Sequence, residues 1–207
     1  MTPLIAITGG IGSGKSAVCR CLSAWGLKVY DCDSRARRLM DSDPAIHRRL
    51  CEEISPDTVK NGIIDRPLLA EIVFSDPSKL ARLNAITHRR VTEDLRHWRE
   101  TNSSSSPVLF VETAILLESR LHDEVDQIWV VDAPEETRLA RACLRDSATP
   151  DQIMARMRRQ RHVCHGDVSV PLHIIDNSGN APLLPRLTEL LADLGIHPSS
   201  LPGQWKN

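Results

Sequence analysis

Apolar residues along this chain fall into short unbroken blocks and helical stripes, and the two alternate. Leu4–Thr8 is an apolar block followed at once by glycines, which predicts a short strand. From Lys15 the period changes: Val18, Cys21, Leu22 and Trp25 fall at i, i+3, i+4 and i+7, one face of a helix that Gly26 stops. Val29-Tyr30 predicts a second strand ending in the acidic cluster Asp31-Cys32-Asp33. Val108–Val111, ending on Glu112, and Ile128–Val131, ending on Asp132, are unbroken apolar runs, as expected of a parallel sheet covered on both faces. His173–Ile175 is a weaker last strand with Asp176-Asn177-Ser178-Gly179 as its turn, and Leu183–Leu194 reads as a closing helix.

Between the second and third blocks, from about Ser34 to Trp98, the pattern is mostly helical. Asp43-Pro44, Asp65-Arg66-Pro67 and Asp76-Pro77 place an Asp near a helix cap and a Pro in the first turn. Ser103–Ser106 with Pro107 is a polar connector. Glu135–Arg145 and Asp151–Arg161 are basic helical stretches split by Ser147–Pro150, and the polar, proline-bearing tail from His197 is expected to be loose. Alternation of strands and helices around parallel-type strands is the signature of the α/β class.

Composition narrows the reading only modestly. With 41% apolar and 26% charged residues the chain is an ordinary globular one. Lys+Arg 26 against Asp+Glu 27 gives a net charge of −1, which argues against a nucleic-acid coat or a polybasic membrane binder. No apolar run approaches the roughly 18 residues of a membrane span. No basic region with a small-residue cleavage site opens the chain, so a soluble, cytoplasmic protein is expected. Aromatics at 3% leave the core to Leu, Ile, Val and Ala. The six cysteines (Cys19, Cys21, Cys32, Cys51, Cys143 and Cys164) show neither a disulfide framework nor zinc spacing, and are expected as reduced, buried thiols.

The chemistry starts in the glycine cluster. Gly9-Gly10-Ile11-Gly12-Ser13-Gly14-Lys15-Ser16 satisfies G-x-x-x-x-G-K-[ST] and lies between a predicted strand and a predicted helix, the context a phosphate-binding loop requires. Its glycines let backbone N–H groups converge on phosphate oxygens at a helix N-terminus. Lys15 supplies a point charge for the β- and γ-phosphates, and the Ser16 hydroxyl a Mg²⁺ ligand. The Asn-Lys-x-Asp string of a guanine site is absent, and the D-x-x-G string at Asp176 lies too late for a γ-phosphate switch, so it is read as a turn.

A small-molecule kinase also needs an acid for the acceptor hydroxyl and a basic lid that excludes water. Asp31 and Asp33 follow the second strand, whose end is expected at the same crevice as the loop. If the strand continues, their spacing points both side chains one way; alternatively, Asp33 is a helix N-cap. Arg138, Arg141 and Arg145 form one helical stripe, and seven arginines against two acids occur between Arg138 and Arg161. Arginine makes up 21 of the 26 basic residues, and its planar fork suits phosphate oxygens.

These segments, in this order, resemble the dephospho-coenzyme A kinase family along nearly the whole chain. Thr8–Ser16 resembles its nucleotide loop, Asp31–Arg37 its Asp-x-Asp-x-x-Ala-Arg motif, and Gly62–Phe74 and Leu83–His88 its substrate-domain motifs. Ile115-Leu116-Leu117-Glu118 resembles its Leu-Leu-x-Glu element, Arg138–Gln160 its lid, and Ile175–Gly179 its closing strand and turn. Ala17, Glu112, Ala114 and Arg89 stand where the family commonly has Thr, Asp, Pro and Pro.

The resemblance implies a three-layer P-loop fold with a parallel sheet: a core over residues 1–33, 107–137 and 165–195, a helical insertion for the CoA moiety over 34–106, and a lid over 138–164. It implies ATP-dependent phosphorylation of the ribose 3′-hydroxyl of 3′-dephospho-CoA, with Mg²⁺ held by Ser16 and Glu112. Asp33 is then the base, with Lys15, Arg141 and Arg145 on the transferring phosphoryl. ATP is expected at Gly10, Ile11, Gly12, Ser13, Gly14, Lys15, Ser16, Ala17, Arg141, Arg145 and Asn177. The acceptor is expected at Thr8, Asp33, Arg37, His88, Ile115 and Leu116. Nucleic-acid and membrane partners are not expected, and the state is monomer or weak homo-oligomer. Another metabolite kinase with this core, or a nucleotide-driven switch, stays open as the alternative.

Overall fold

The apolar blocks become neighbouring strands. In the computed structural model, whose described residues are 2–160, 163 and 165–201, the chain opens with β1 (Leu4–Thr8), α1 (Lys15–Ala24), β2 (Lys28–Asp31), α2 (Cys32–Ser42) and α3 (Pro44–Glu53). Two short strands, β3 (Val59–Lys60) and β4 (Ile63–Ile64), precede α4 (Arg66–Ser75) and α5 (Pro77–Asn102). The remainder is β5 (Leu109–Glu112), β6 (Gln127–Asp132), α6 (Glu135–Asp146), α7 (Pro150–Arg159), β7 (Leu172–Asp176) and α8 (Leu183–Asp193). Arg161, Cys164 and the tail from residue 202 lie outside the described residues. The chain divides into two units, Met1–Tyr30 with Thr101–Asn207, and Asp31–Glu100.

The first unit is built on a five-stranded sheet in the order β2-β5-β1-β6-β7. β1 pairs in parallel with β5, Ile7 opposite Glu112, and with β6, Ala6 opposite Ile128; β6 pairs in parallel with β7. Every residue of β1 is buried, which requires cover on both faces and explains its lack of polar alternation. Ile5, Ile7, Phe110, Trp129, Val131 and Ile175 share a core with Val18 and Leu22 of α1 and Leu187, Leu190 and Leu191 of α8. The rings of Phe110 and Trp129 tilt against each other, with centroids 5.2 Å apart. β7 is an edge strand, and its Ile174 is 53% exposed, which is why its sequence signal was weak. Five cysteines are free thiols; Cys19 and Cys32 are buried and the others half-buried. Burial raises the Cys21 thiol pKa, only partly opposed by Arg20.

The second unit packs Ile46 and Leu50 of α3, Ile64 of β4, Leu69 and Val73 of α4 and Ile86 of α5 into a separate apolar cluster. Asp43 caps α3 by accepting the Ala45 N–H at 2.8 Å, and pairs with Arg90. Burial pushes its carboxyl pKa up, but the Ala45 amide and the Arg90 guanidinium outweigh that and hold it below the usual range. The β3–β4 hairpin is the strand element within a region expected to be mostly helical, and it was not read from the sequence. Asn61 at φ 52° and Gly62 at φ 75° form its turn, a pair of left-handed residues that Asn-Gly accommodates readily.

A second correction falls at the acidic cluster. The strand does not continue through Asp33, because α2 begins at Cys32. The N-cap is Asp31, not Asp33. Its Oδ1 accepts the N–H groups of Asp33 at 3.0 Å and Ser34 at 3.1 Å, and its Oδ2 accepts the Ser34 hydroxyl at 2.5 Å. On a helix start the two carboxylates no longer share a direction. Asp33 therefore stands in the first turn of α2 with its side chain outside the cap.

Candidate active site

Because β1, β5, β6 and β7 run parallel, their carboxyl ends share one edge of the sheet, and the segments that follow them converge there. The glycine loop follows β1. Gly12, at φ 77°, packs so closely on α6 that a Cβ would lie 2.1 Å from the Arg138 carbonyl oxygen. Gly14, at φ 100°, opens α1, and a Cβ there would meet the Asn177 amide nitrogen at 2.0 Å. No side chain caps α1 and no acid lies in its first turn, so its N-terminus is an open, positive end suited to an anion. Lys15 Nζ donates to the carbonyls of Gly9 at 2.8 Å and Gly10 at 3.2 Å, which holds the ammonium against the loop. The Ser13 hydroxyl is buried within the loop without a hydrogen-bond partner.

Two oxygen groups meet at the start of α1. The Ser16 hydroxyl donates to Glu112 Oε1 at 3.0 Å, joining the loop to the end of β5. A hydroxyl beside a carboxylate, with no nitrogen or sulfur, is a donor set that fits Mg²⁺, which takes its remaining ligands from water and phosphate.

The arginine stripe does not act as one face. Arg138 is buried, and its Nε donates to the Ala133 carbonyl at 3.0 Å at the start of its own helix. Arg141 Nη1 donates to the Asn177 carbonyl at 2.9 Å, and the Asn177 amide donates to the Ser13 carbonyl at 2.7 Å, so α6 is tied through Asn177 to the glycine loop. Arg145 and Arg156 both pair with Asp146 at 2.7 Å. These guanidinium groups hold the Asp146 carboxyl at a pKa of about 2, Arg145 contributing most. Shared spacing placed the three arginines on one helix, but each has found a different acceptor.

The family model for dephospho-CoA kinase (CoaE) matches residues 3–182. The chain belongs to the dephospho-CoA kinase family. It is 38% identical to the dephospho-CoA kinase of Bacteroides fragilis (strain YCH46) over 193 residues, 92% of each chain. To that of Deinococcus radiodurans it is 41% identical over 157 residues, 75% of each. The crystal structure of TT1252 from Thermus thermophilus superposes with a TM-score of 0.75 at 33% identity, covering 93% of this chain and 97% of that one. Dephospho-CoA kinase from Campylobacter jejuni shares the fold, with a TM-score of 0.65 at 22% identity over 93% and 99% of the two chains.

For a dephospho-CoA kinase family member, the remaining expected positions divide between the two units. Thr8 is buried at the end of β1, and Ile115 and Leu116 follow β5; Ile115 is partly exposed and the Leu116 side chain is in the core. Gly10, Ile11, Gly12, Ser13, Gly14, Lys15, Ser16, Ala17, Glu112, Arg141, Arg145 and Asn177 belong to the same unit. Asp33, Arg37 and His88 belong to the other, where Arg37 Nε donates to the Asp33 carbonyl at 3.2 Å. Gln160, which the sequence marked only as the end of the lid-like stretch and gave no role, bonds directly to the glycine loop. A lone Gln after a basic helix carries no spacing that would single it out.

Proposed function

We propose that this chain transfers the γ-phosphoryl group of ATP to the ribose 3′-hydroxyl of 3′-dephospho-CoA, giving coenzyme A and ADP. The carrying observation is a built phosphate loop in a chain that matches the dephospho-CoA kinase family over residues 3–182. Phosphoryl transfer asks mainly for positioning and charge stabilisation. The backbone N–H groups from Gly12 to Ala17 receive the β- and γ-phosphates, and the Lys15 ammonium balances charge that develops on the γ-phosphoryl. Arg141 and Arg145 add guanidinium charge from the lid, and Asn177 positions Arg141 against the loop. Asp33 accepts the proton of the 3′-hydroxyl, while Thr8, Arg37, His88, Ile115 and Leu116 orient the acceptor. Mg²⁺, when bound, neutralises phosphate charge, with Ser16 and Glu112 as the residues that would hold it.

By the same reading, residues 34–106 form the CoA-binding insertion, residues 138–164 the lid, and the enzyme works in the cytoplasm as a monomer or weak homo-oligomer. No helix among the described residues is long and apolar enough to cross a membrane. The test is ADP release, measured against a panel of nucleoside-bearing acceptors. Release that depends on dephospho-CoA is expected; release equally fast with unrelated acceptors, or with none, rejects the assignment.

A further inference from the structure

Gln160, the residue after α7, uses its side-chain amide three times. Oε1 accepts the Ile11 N–H at 2.8 Å, while Nε2 donates to the carbonyls of Ala114 at 2.8 Å and Gly9 at 3.2 Å. An N–H meets the oxygen and two carbonyls meet the nitrogen, so the contacts admit only one orientation of the amide. One side chain thus joins the end of the lid, the glycine loop and the turn after β5. Ile11 strengthens the junction by packing against Ala142 of α6 and Ile153 and Met157 of α7.

The same bonds bear on Lys15. Its two carbonyl partners each have a second donor: Gly9 O receives Gln160 Nε2, and Gly10 O receives the Ser13 N–H at 3.1 Å. When the ammonium turns toward a phosphate, neither carbonyl is left unsatisfied, which would otherwise oppose the movement. Without Gln160 the Gly9 carbonyl would lose that support, and the Gly9–Ile11 backbone would be free to shift.

We propose that Gln160 is a positioning residue for phosphoryl transfer, fixing the Gly9–Ile11 backbone against the lid so that Lys15 can serve the phosphates. This rests on the kinase reading above. It assigns Gln160 no contact with the reacting atoms.

The experiment compares Gln160→Met and Gln160→Glu in the full chain with the wild type, monitoring folded fraction by circular dichroism. Methionine keeps the length and removes the bonds; kcat should fall about tenfold or more, the scale of a small misplacement near the chemistry, with the dephospho-CoA KM within about twofold. ATP affinity, measured by calorimetry without acceptor, should weaken. A glutamate has at most one proton for the two carbonyls of Gly9 and Ala114, so Gln160→Glu should lower kcat at least about tenfold as well, again with the dephospho-CoA KM within about twofold.

The proposal is overturned if the Met variant keeps wild-type kcat and ATP affinity, if the Glu variant turns over like the wild type, or if every loss follows the folded fraction. If wild type releases no ADP in response to dephospho-CoA, the kinase reading fails instead, and the ATP titration still tests the Gln160 contact.

Discussion

Ser16 and Glu112 are 96 residues apart in sequence, yet the Ser16 hydroxyl donates to the Glu112 carboxylate at 3.0 Å. Parallel pairing brings this about: Glu112 lies opposite Ile7 on β1, and Ser16 stands one loop beyond that strand. The carboxylate therefore arrives beside the hydroxyl.

Removing that carboxylate should impair metal use. Glu112→Gln should raise the Mg²⁺ concentration needed for half-maximal activity by about tenfold or more, with melting temperature little changed. EDTA should abolish wild-type turnover and excess Mg²⁺ restore it. An unchanged Mg²⁺ titration would remove Glu112 from the site.

Lys15→Ala should lower kcat by about 10²-fold or more, because a preorganised charge at the transferring group is lost. The Lys15 ammonium bonds loop carbonyls rather than the apolar core, so the circular dichroism spectrum should stay that of the wild type. Turnover close to wild type would place the nucleotide elsewhere.

Asp31 and Asp33 should separate cleanly. Asp31→Ala removes the acceptor for two N–H groups at the start of α2 and should cost about 1 kcal/mol of stability, read by chemical denaturation. Asp33→Asn leaves that cap intact and should lower turnover by about 10²-fold while ATP affinity holds. Normal turnover in Asp33→Asn would require another base.

Arg141→Ala should lower kcat more than it raises the ATP KM, as expected of a charge used in the transition state. It also removes the bond to the Asn177 main-chain carbonyl, an acceptor that Asn177→Ala keeps while losing only the side-chain bond to Ser13, so the loss in Asn177→Ala measures loop positioning separately. A pure rise in ATP KM would make Arg141 a ground-state clamp.

Asp146 gives a pH prediction. Its folded pKa of about 2 lies below the unfolded value, so the tie to Arg145 and Arg156 is complete above about pH 4 and fades as pH falls through about 2. Asp146→Asn should melt lower than wild type at neutral pH, the gap closing near pH 2 and shrinking with added salt. An equal gap at both pH values would show that charge is not the cause.

The central strands and α1 were legible because each rests on a local rule. An unbroken apolar block such as Ile128–Val131 has few fates other than a strand buried on both faces, and the spacing of Val18, Leu22 and Trp25 admits one helical face. The proline-marked helix starts at Asp43, Asp65 and Asp76 were equally local, since a cap is a contact within three residues. The hairpin at Asn61-Gly62 was also marked locally, but its two-residue strands are too short for any hydrophobic period to register.

The chain by itself determined its class, its phosphate loop and its family resemblance, because glycine spacing, a following lysine and ordered motifs need no partner to be read. Only the tertiary structure decided which side chains answer one another. Spacing put Arg138, Arg141 and Arg145 on one stripe, but burial at Ala133, the carbonyl of Asn177 and the carboxylate of Asp146 drew them apart. Gln160 reaches Gly9 and Ile11 across about 150 residues, a juxtaposition set by the return of the chain after α7 to the sheet edge. Hydrogen bonds act over about 3 Å, and that distance is fixed by packing, not by position along the chain.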